Sequence, residues 1–116
     1  MVLVVEEDAA LGRLLGSLLH TSDLESVVLA NAEAALEWLP DKQPTVILCD
    51  LDLPGLNGVA FIELVRSGQL AHTPVILMSV YDEPKEHSAD AFIGKPFDPF
   101  EVLQLVEAMS RDGRYH

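Results

Sequence analysis

Five short apolar runs constrain this chain more than any other feature. They are Val2–Val5, Ser26–Leu29, Val46–Cys49, Val75–Met78 and Ala91–Ile93. Each is rich in Val, Ile or Leu without strict alternation, as expected of strands buried on both faces. Between the first two, Leu11, Leu14, Leu15, Leu18 and Leu19 recur at helical spacing. Ala32, Ala35, Leu36 and Leu39 repeat the pattern, and Phe61, Ile62, Leu64 and Val65 form a shorter one. Near the end, Asp98 is placed to cap a helix, Pro99 suits its first turn and Glu101 completes a capping box. That last helix would bury Val102, Leu103, Val106 and Met109. Strands separated by helices imply a parallel sheet with right-handed crossovers. The predicted class is α/β, doubly wound, as one domain over residues 1–116. Between the fourth and fifth strands only Tyr81–Ser88 is free, with Pro84 inside it, leaving room for about one helical turn.

In such a sheet, ligands bind beyond the carboxyl ends of the strands. The first strand runs into Glu6, Glu7 and Asp8, and the third into Asp50 and then Asp52. The fourth runs into Ser79, and the fifth into Lys95 before Pro96. If the second strand is outermost, the first and third are central neighbours and their acids share a pocket. Carboxylates about 4–5 Å apart repel by roughly 3–4 kcal/mol per pair at an effective dielectric near 20. They stay ionised together only around a cation, and oxygen-only ligands select Mg²⁺ or another hard divalent ion such as Mn²⁺. Such an ion also screens a phosphoryl group approached by a carboxylate. The pattern therefore points to Asp50 as nucleophile and phosphate acceptor, with Lys95 and Ser79 on the phosphoryl oxygens.

Composition removes other classes. The chain of 116 residues carries 19 acidic and 7 basic side chains, a net charge of −12. Direct nucleic-acid binding needs a basic face that this balance does not provide. An apolar share of 49% excludes disorder. The apolar runs are too short to insert into a membrane, and Met1–Val5 lacks the flank of a signal peptide. A single cysteine, Cys49, forms no disulfide within the chain, which suits a cytoplasmic location. Cys49 is expected to be a small core residue. His20, His72, His87 and His116 show no ligand spacing.

Four segments carry a family resemblance: VLVVEED, VILCDLDLPGLNG, PVILMS and FIGKPFDP, in that order along the whole chain. The chain resembles a response-regulator receiver domain of two-component signalling. The resemblance implies a flavodoxin-like sheet in order 2-1-3-4-5, and Mg²⁺-dependent transfer of phosphate from a sensor histidine kinase, or a phosphotransfer protein, to Asp50. It implies metal binding by Glu6, Glu7, Asp50 and the backbone carbonyl of Asp52, with Asp8 as an alternative ligand. It makes Ser79 and Phe92 the switch residues, Lys95 the site lysine, and Lys95–Pro96 a cis bond. Such a protein catalyses only its own phosphorylation and dephosphorylation, and signals by conformational change to a protein target as a monomer or weak homodimer. Too little chain follows the last helix for a DNA-binding segment here.

Several positions depart from the family pattern. Glu7 stands where Asp is usual, Val80 where a small residue usually follows the switch hydroxyl, and the fourth helix is shortened. Asp52 lies where the family varies widely. These departures imply altered phosphorylation kinetics, or a degenerate receiver that binds partners unphosphorylated. VILCDLDLP also resembles the Asp-x-Asp pattern of haloacid-dehalogenase phosphohydrolases, in which Asp52 would be a general acid. That motif normally lies near the N-terminus, whereas here it follows a full βαβα unit.

Overall fold

The computed structural model describes residues 1–111. The expectation that His116 is not a metal ligand therefore lies outside the described residues. The elements, in order, are β1 (Val2–Val5), α1 (Ala9–Thr21), β2 (Ser26–Leu29), α2 (Ala32–Trp38) and β3 (Val46–Asp50). They are followed by α3 (Gly58–Arg66), β4 (Val75–Ser79), β5 (Ala91–Gly94) and α4 (Pro99–Arg111). All strands are parallel, in order β2-β1-β3-β4-β5.

Period-two alternation along each strand divides the core between the two faces of the sheet. Leu3, Val5, Ile47, Cys49, Val75 and Leu77 face Ala32 and Ala35 of α2 and Phe61, Ile62 and Val65 of α3. Val2, Val4, Val46, Leu48, Ile76 and Met78 face Leu15 and Leu19 of α1 and Val102, Leu103, Val106 and Met109 of α4. Strands β1, β3 and β4 are fully buried, which is why their sequences show no polar alternation.

Two leucines leave the faces expected of them. Leu14 is 45% exposed and Leu64 is 50% exposed. The buried line of α1 is Gly12–Leu15–Leu19, and a Cβ on Gly12 would lie 2.8 Å from Val28 Cγ1. The helix thus lies with its glycine side against β2, and Leu14, about 160° around from Gly12, turns outward. In α3 the buried set is Gly58, Phe61, Ile62 and Val65, and Leu64 lies off that stripe.

The segment between β4 and β5 forms no helix at all among the described residues, so the expected single turn is absent. Pro84 lacks an N–H and disfavours helical backbone at Glu83 before it. A polar staple from α3 holds the segment instead. Arg66 Nε donates to the Ser88 carbonyl at 3.0 Å, and Nη1 donates to the carbonyls of Ala71 and Thr73. Nη2 pairs with Asp90 Oδ2 at 2.8 Å, and the same oxygen accepts from Val75 N–H. Ser88 Oγ donates to Glu63 Oε1 at 2.6 Å. One guanidinium fork thereby ties the Ser88 carbonyl and Asp90 of this segment to the α3–β4 connection at Ala71 and Thr73.

The helix starts follow local chemistry. Asp8, Asn31 and Asn57 cap α1, α2 and α3 through side-chain oxygens. At α4, Asp98 Oδ1 accepts from Phe100 N–H at 2.9 Å. Glu101 returns no bond to Asp98 N–H among the described residues, so only half of the expected capping box forms. Among the described residues, no helix is long and apolar enough to cross a membrane.

Candidate functional site

Strand register decides which residues meet. Val5 pairs with Cys49, Asp50 with Met78 and Ser79 with Gly94. The residues at or just past these ends emerge side by side. Glu6, Glu7, Asp8, Asp50, Asp52, Val80 and Lys95 line one open cavity of about 370 Å³. β2 lies at the edge of the sheet and contributes nothing to it.

The acids in this cavity do different things. Glu6 is buried, and its Oε1 lies 2.7 Å from Lys95 Nζ, while its Oε2 accepts from Asp8 N–H at 3.0 Å. Asp8 Oδ1 accepts from Ala10 and Leu11 N–H and is committed to capping α1. Asp50 is buried, with Oδ1 accepting from Asp52 N–H at 3.1 Å and Oδ2 lying 3.4 Å from Lys95 Nζ. Asp52 turns its side chain toward β4, where Oδ2 accepts from the Ser79 hydroxyl at 2.8 Å. Glu7 is exposed at the rim.

Burial raises the Asp50 pKa above its ordinary value. The negative Glu6 adds to the rise, against the opposing pull of Asp52 N–H and Lys95. Lys95 loses some basicity to burial but regains more from its hydrogen bond to Glu6 and the charges of Glu6 and Asp50, so its net shift is upward. Burial, then the charges of Asp50 and Glu6, push the Cys49 thiol far up. Cys49 is accordingly a neutral core residue, and its Sγ donates to the Asp50 carbonyl at 3.4 Å.

The donors that remain are all oxygen. No group of three acids, histidines or cysteines is already converged on a metal position among the described residues. Glu6 is bonded through both oxygens and Asp8 through Oδ1, so the Asp50 carboxylate, the Asp52 carbonyl and the exposed Glu7 carboxylate are the candidate donors, with Asp8 Oδ2 beside them. That set fits a hard divalent ion that keeps several waters. Lys95 N–H donates to the Ser79 carbonyl at 2.7 Å, tying the ends of β4 and β5 together, and the Lys95–Pro96 peptide is cis. Phe92 is half-buried and packs against the α2–α3 side of the core. Sequence reasoning missed Gly58, which packs on the backbone of Asp50 and Leu51. The available signal was the Asn57–Gly58 pair opening a helix directly after the acidic turn.

Residues 2–107 match the family of response regulator receiver domains. The chain belongs to that family, rather than to the phosphohydrolases that VILCDLDLP also resembles. It is similar to the DNA-binding response regulator MtrA of Mycobacterium tuberculosis, at 29% identity over 95% of this chain and 50% of that protein. It is also similar to the response regulator protein FleR of Pseudomonas aeruginosa, at 33% identity over 90% of this chain and 23% of that protein. The chain thus spans about half the length of MtrA and less of FleR. Among solved structures, the signal receiver domain of a histidine kinase from Syntrophus aciditrophicus superposes with a TM-score of 0.89 at 23% identity, covering 97% and 91% of the two chains. The receiver domain of sensor histidine kinase PA1611 of Pseudomonas aeruginosa superposes at 0.86 with 18% identity, covering 96% and 97%. That structure is described with a magnesium ion in its active-site cleft.

Proposed function

We propose that this receiver domain accepts a phosphoryl group on Asp50 from the phosphohistidine of a sensor histidine kinase or phosphotransfer protein, with Mg²⁺ or Mn²⁺ bound beside it. The observation that carries this reading is the position of Asp50: a buried carboxylate in an open cavity lined by four other acids, facing a lysine. An Asp50 oxygen attacks phosphorus, the phosphorus–nitrogen bond breaks, and the departing imidazole keeps the electron pair. Lys95, held by Glu6, stands ready to pair with a phosphoryl oxygen. Glu7, Asp50 and the Asp52 carbonyl would hold the ion, which supplies screening of the phosphoryl charge when bound. Ser79 would bond a second phosphoryl oxygen, and Phe92 would move with it to signal a protein target. The domain then acts on protein partners in the cytoplasm, as a monomer or weak homodimer, without touching nucleic acid.

Incubation with acetyl phosphate and Mg²⁺ tests this by intact mass. Wild type is expected to gain one phosphoryl group and Asp50→Asn none. An unmodified wild type would leave the degenerate, partner-binding reading in its place.

The metal has its own test. A carboxylate whose folded pKa is raised costs stability above that pKa, so without Mg²⁺ the Asp50→Asn variant is expected to melt above wild type. Adding Mg²⁺ is expected to stabilise wild type by about 2.7 kcal/mol at a hundredfold excess over Kd, several degrees in Tm, and Asp50→Asn by much less. Equal shifts in both proteins, measured by calorimetry, would count against a metal site at Asp50.

A further inference from the structure

Ser79 is fully buried beneath the cavity residues Asp52 and Val80, and both sides of its hydroxyl are already in use. It donates its single proton to Asp52 Oδ2 at 2.8 Å and accepts from Tyr81 N–H at 2.9 Å. Asp52 is itself anchored, because its N–H is bonded to Asp50 Oδ1.

We infer that the Asp52 side chain is a positioning residue that holds the Ser79 hydroxyl away from Asp50 and so gates phosphoryl uptake. The inference rests on the receiver reading above. Phosphoryl oxygens on Asp50 are acceptors and need the Ser79 proton. A hydroxyl donates only one proton, and a carboxylate is a strong acceptor for it. Phosphorylation therefore requires an exchange in which the Ser79 O–H leaves Asp52 and turns to phosphate. The Tyr81 N–H that holds the same hydroxyl lies at the start of the helix-free segment Tyr81–Asp90. The exchange is thus felt first in that segment, next to the exposed Tyr81 and Val80.

The test combines two measurements on wild type, Asp52→Ala, Asp52→Asn, Ser79→Ala and the Asp52→Ala/Ser79→Ala pair. The rate of phosphorylation by acetyl phosphate is expected to rise about tenfold in Asp52→Ala, the equivalent of one hydrogen bond to a charged group. In the Ser79→Ala background the same Asp52→Ala change is expected to alter the rate less than about twofold, since the hydroxyl it restrains is gone. Simple repulsion between Asp52 and the incoming phosphate would act equally in both backgrounds, and that result would overturn the gate. Independently of any phosphate, amide exchange at Tyr81 is expected to quicken about tenfold in Asp52→Ala and to stay near wild type in Asp52→Asn, which keeps an acceptor. Unchanged Tyr81 exchange in Asp52→Ala would overturn the restraint itself. A wild type that takes no phosphate while Tyr81 exchange responds would overturn gating together with the receiver reading, so the two failures are told apart.

Discussion

Replacing Lys95 with alanine is expected to cost about 3 kcal/mol of stability at neutral pH, lowering Tm by roughly 10 °C for a domain of this size. Lys95 Nζ is the one cation within 4 Å of both Glu6 and Asp50 among the described residues. Those acids are only 2% and 4% exposed. Removing the ammonium leaves two buried carboxylates facing each other, and an unpaired buried charge costs more than a pair contributes. The pH dependence has a definite sign. The Asp50 pKa is already raised, with Glu6 contributing to the rise and Lys95 opposing it. Without Lys95 it rises further, so the deficit is largest at neutral pH and shrinks as acidification neutralises one of the two acids. A Lys95→Met/Glu6→Gln double variant, which removes one charge of each sign, is expected to recover much of the loss. Lys42→Ala is the control. Lys42 is exposed and sits 5.9 Å from the Trp38 ring centroid, so its loss should cost under about 1 kcal/mol. Thermal melts across pH check all three. An equal deficit at acidic and neutral pH would show that lost packing, rather than uncompensated charge, causes it.

The same ion pair shows what the sequence could and could not convey. Strand order and the delivery of Glu6, Asp50, Ser79 and Lys95 to one edge follow from burial and crossover rules, which act on residue type and spacing. The partner each carboxylate chooses does not. Glu6, Glu7 and Asp8 are three consecutive acids, yet one holds Lys95, one lies free at the rim and one caps a helix. That division depends on side-chain direction past a strand end, where the register of β5 brings in a lysine 89 positions away. The segment after β4 is a similar case. Pro84 signalled a weak helix, but the way the helix-free segment is held, by Arg66 of α3 bonding the Ser88 carbonyl and Asp90, was not legible from spacing. Leu14 and Leu64 fitted the helical period, yet the buried stripe of each helix is set by where it packs, and in α1 by the close approach of Gly12 to β2.

Gly58 leads to the second large effect, and it joins fold to site. Its N–H donates to the Leu51 carbonyl at 2.9 Å as α3 begins. A Cβ at this position would collide with the Asp50 carbonyl oxygen and lie 2.8 Å from Leu51 Cα. Both are backbone atoms of the turn that carries Asp50 and Asp52, so no rotamer change relieves the clash. Gly58→Ala is expected to cost about 3 kcal/mol, the upper end for overpacking, and to melt roughly 10 °C lower. Because the turn must yield, the variant is also expected to bind Mg²⁺ more weakly. Gly68→Ala separates this effect from a general glycine penalty. A Cβ there would lie 3.9 Å from the carbonyl oxygens of Leu64 and Val65, an ordinary contact. That variant should melt within about 2 °C of wild type or slightly above it, since alanine restricts the unfolded chain. If Gly58→Ala melts with wild type and keeps its Mg²⁺-induced shift, the contact between α3 and the acidic turn is not tight, and the position of Asp50 is set by the strand alone.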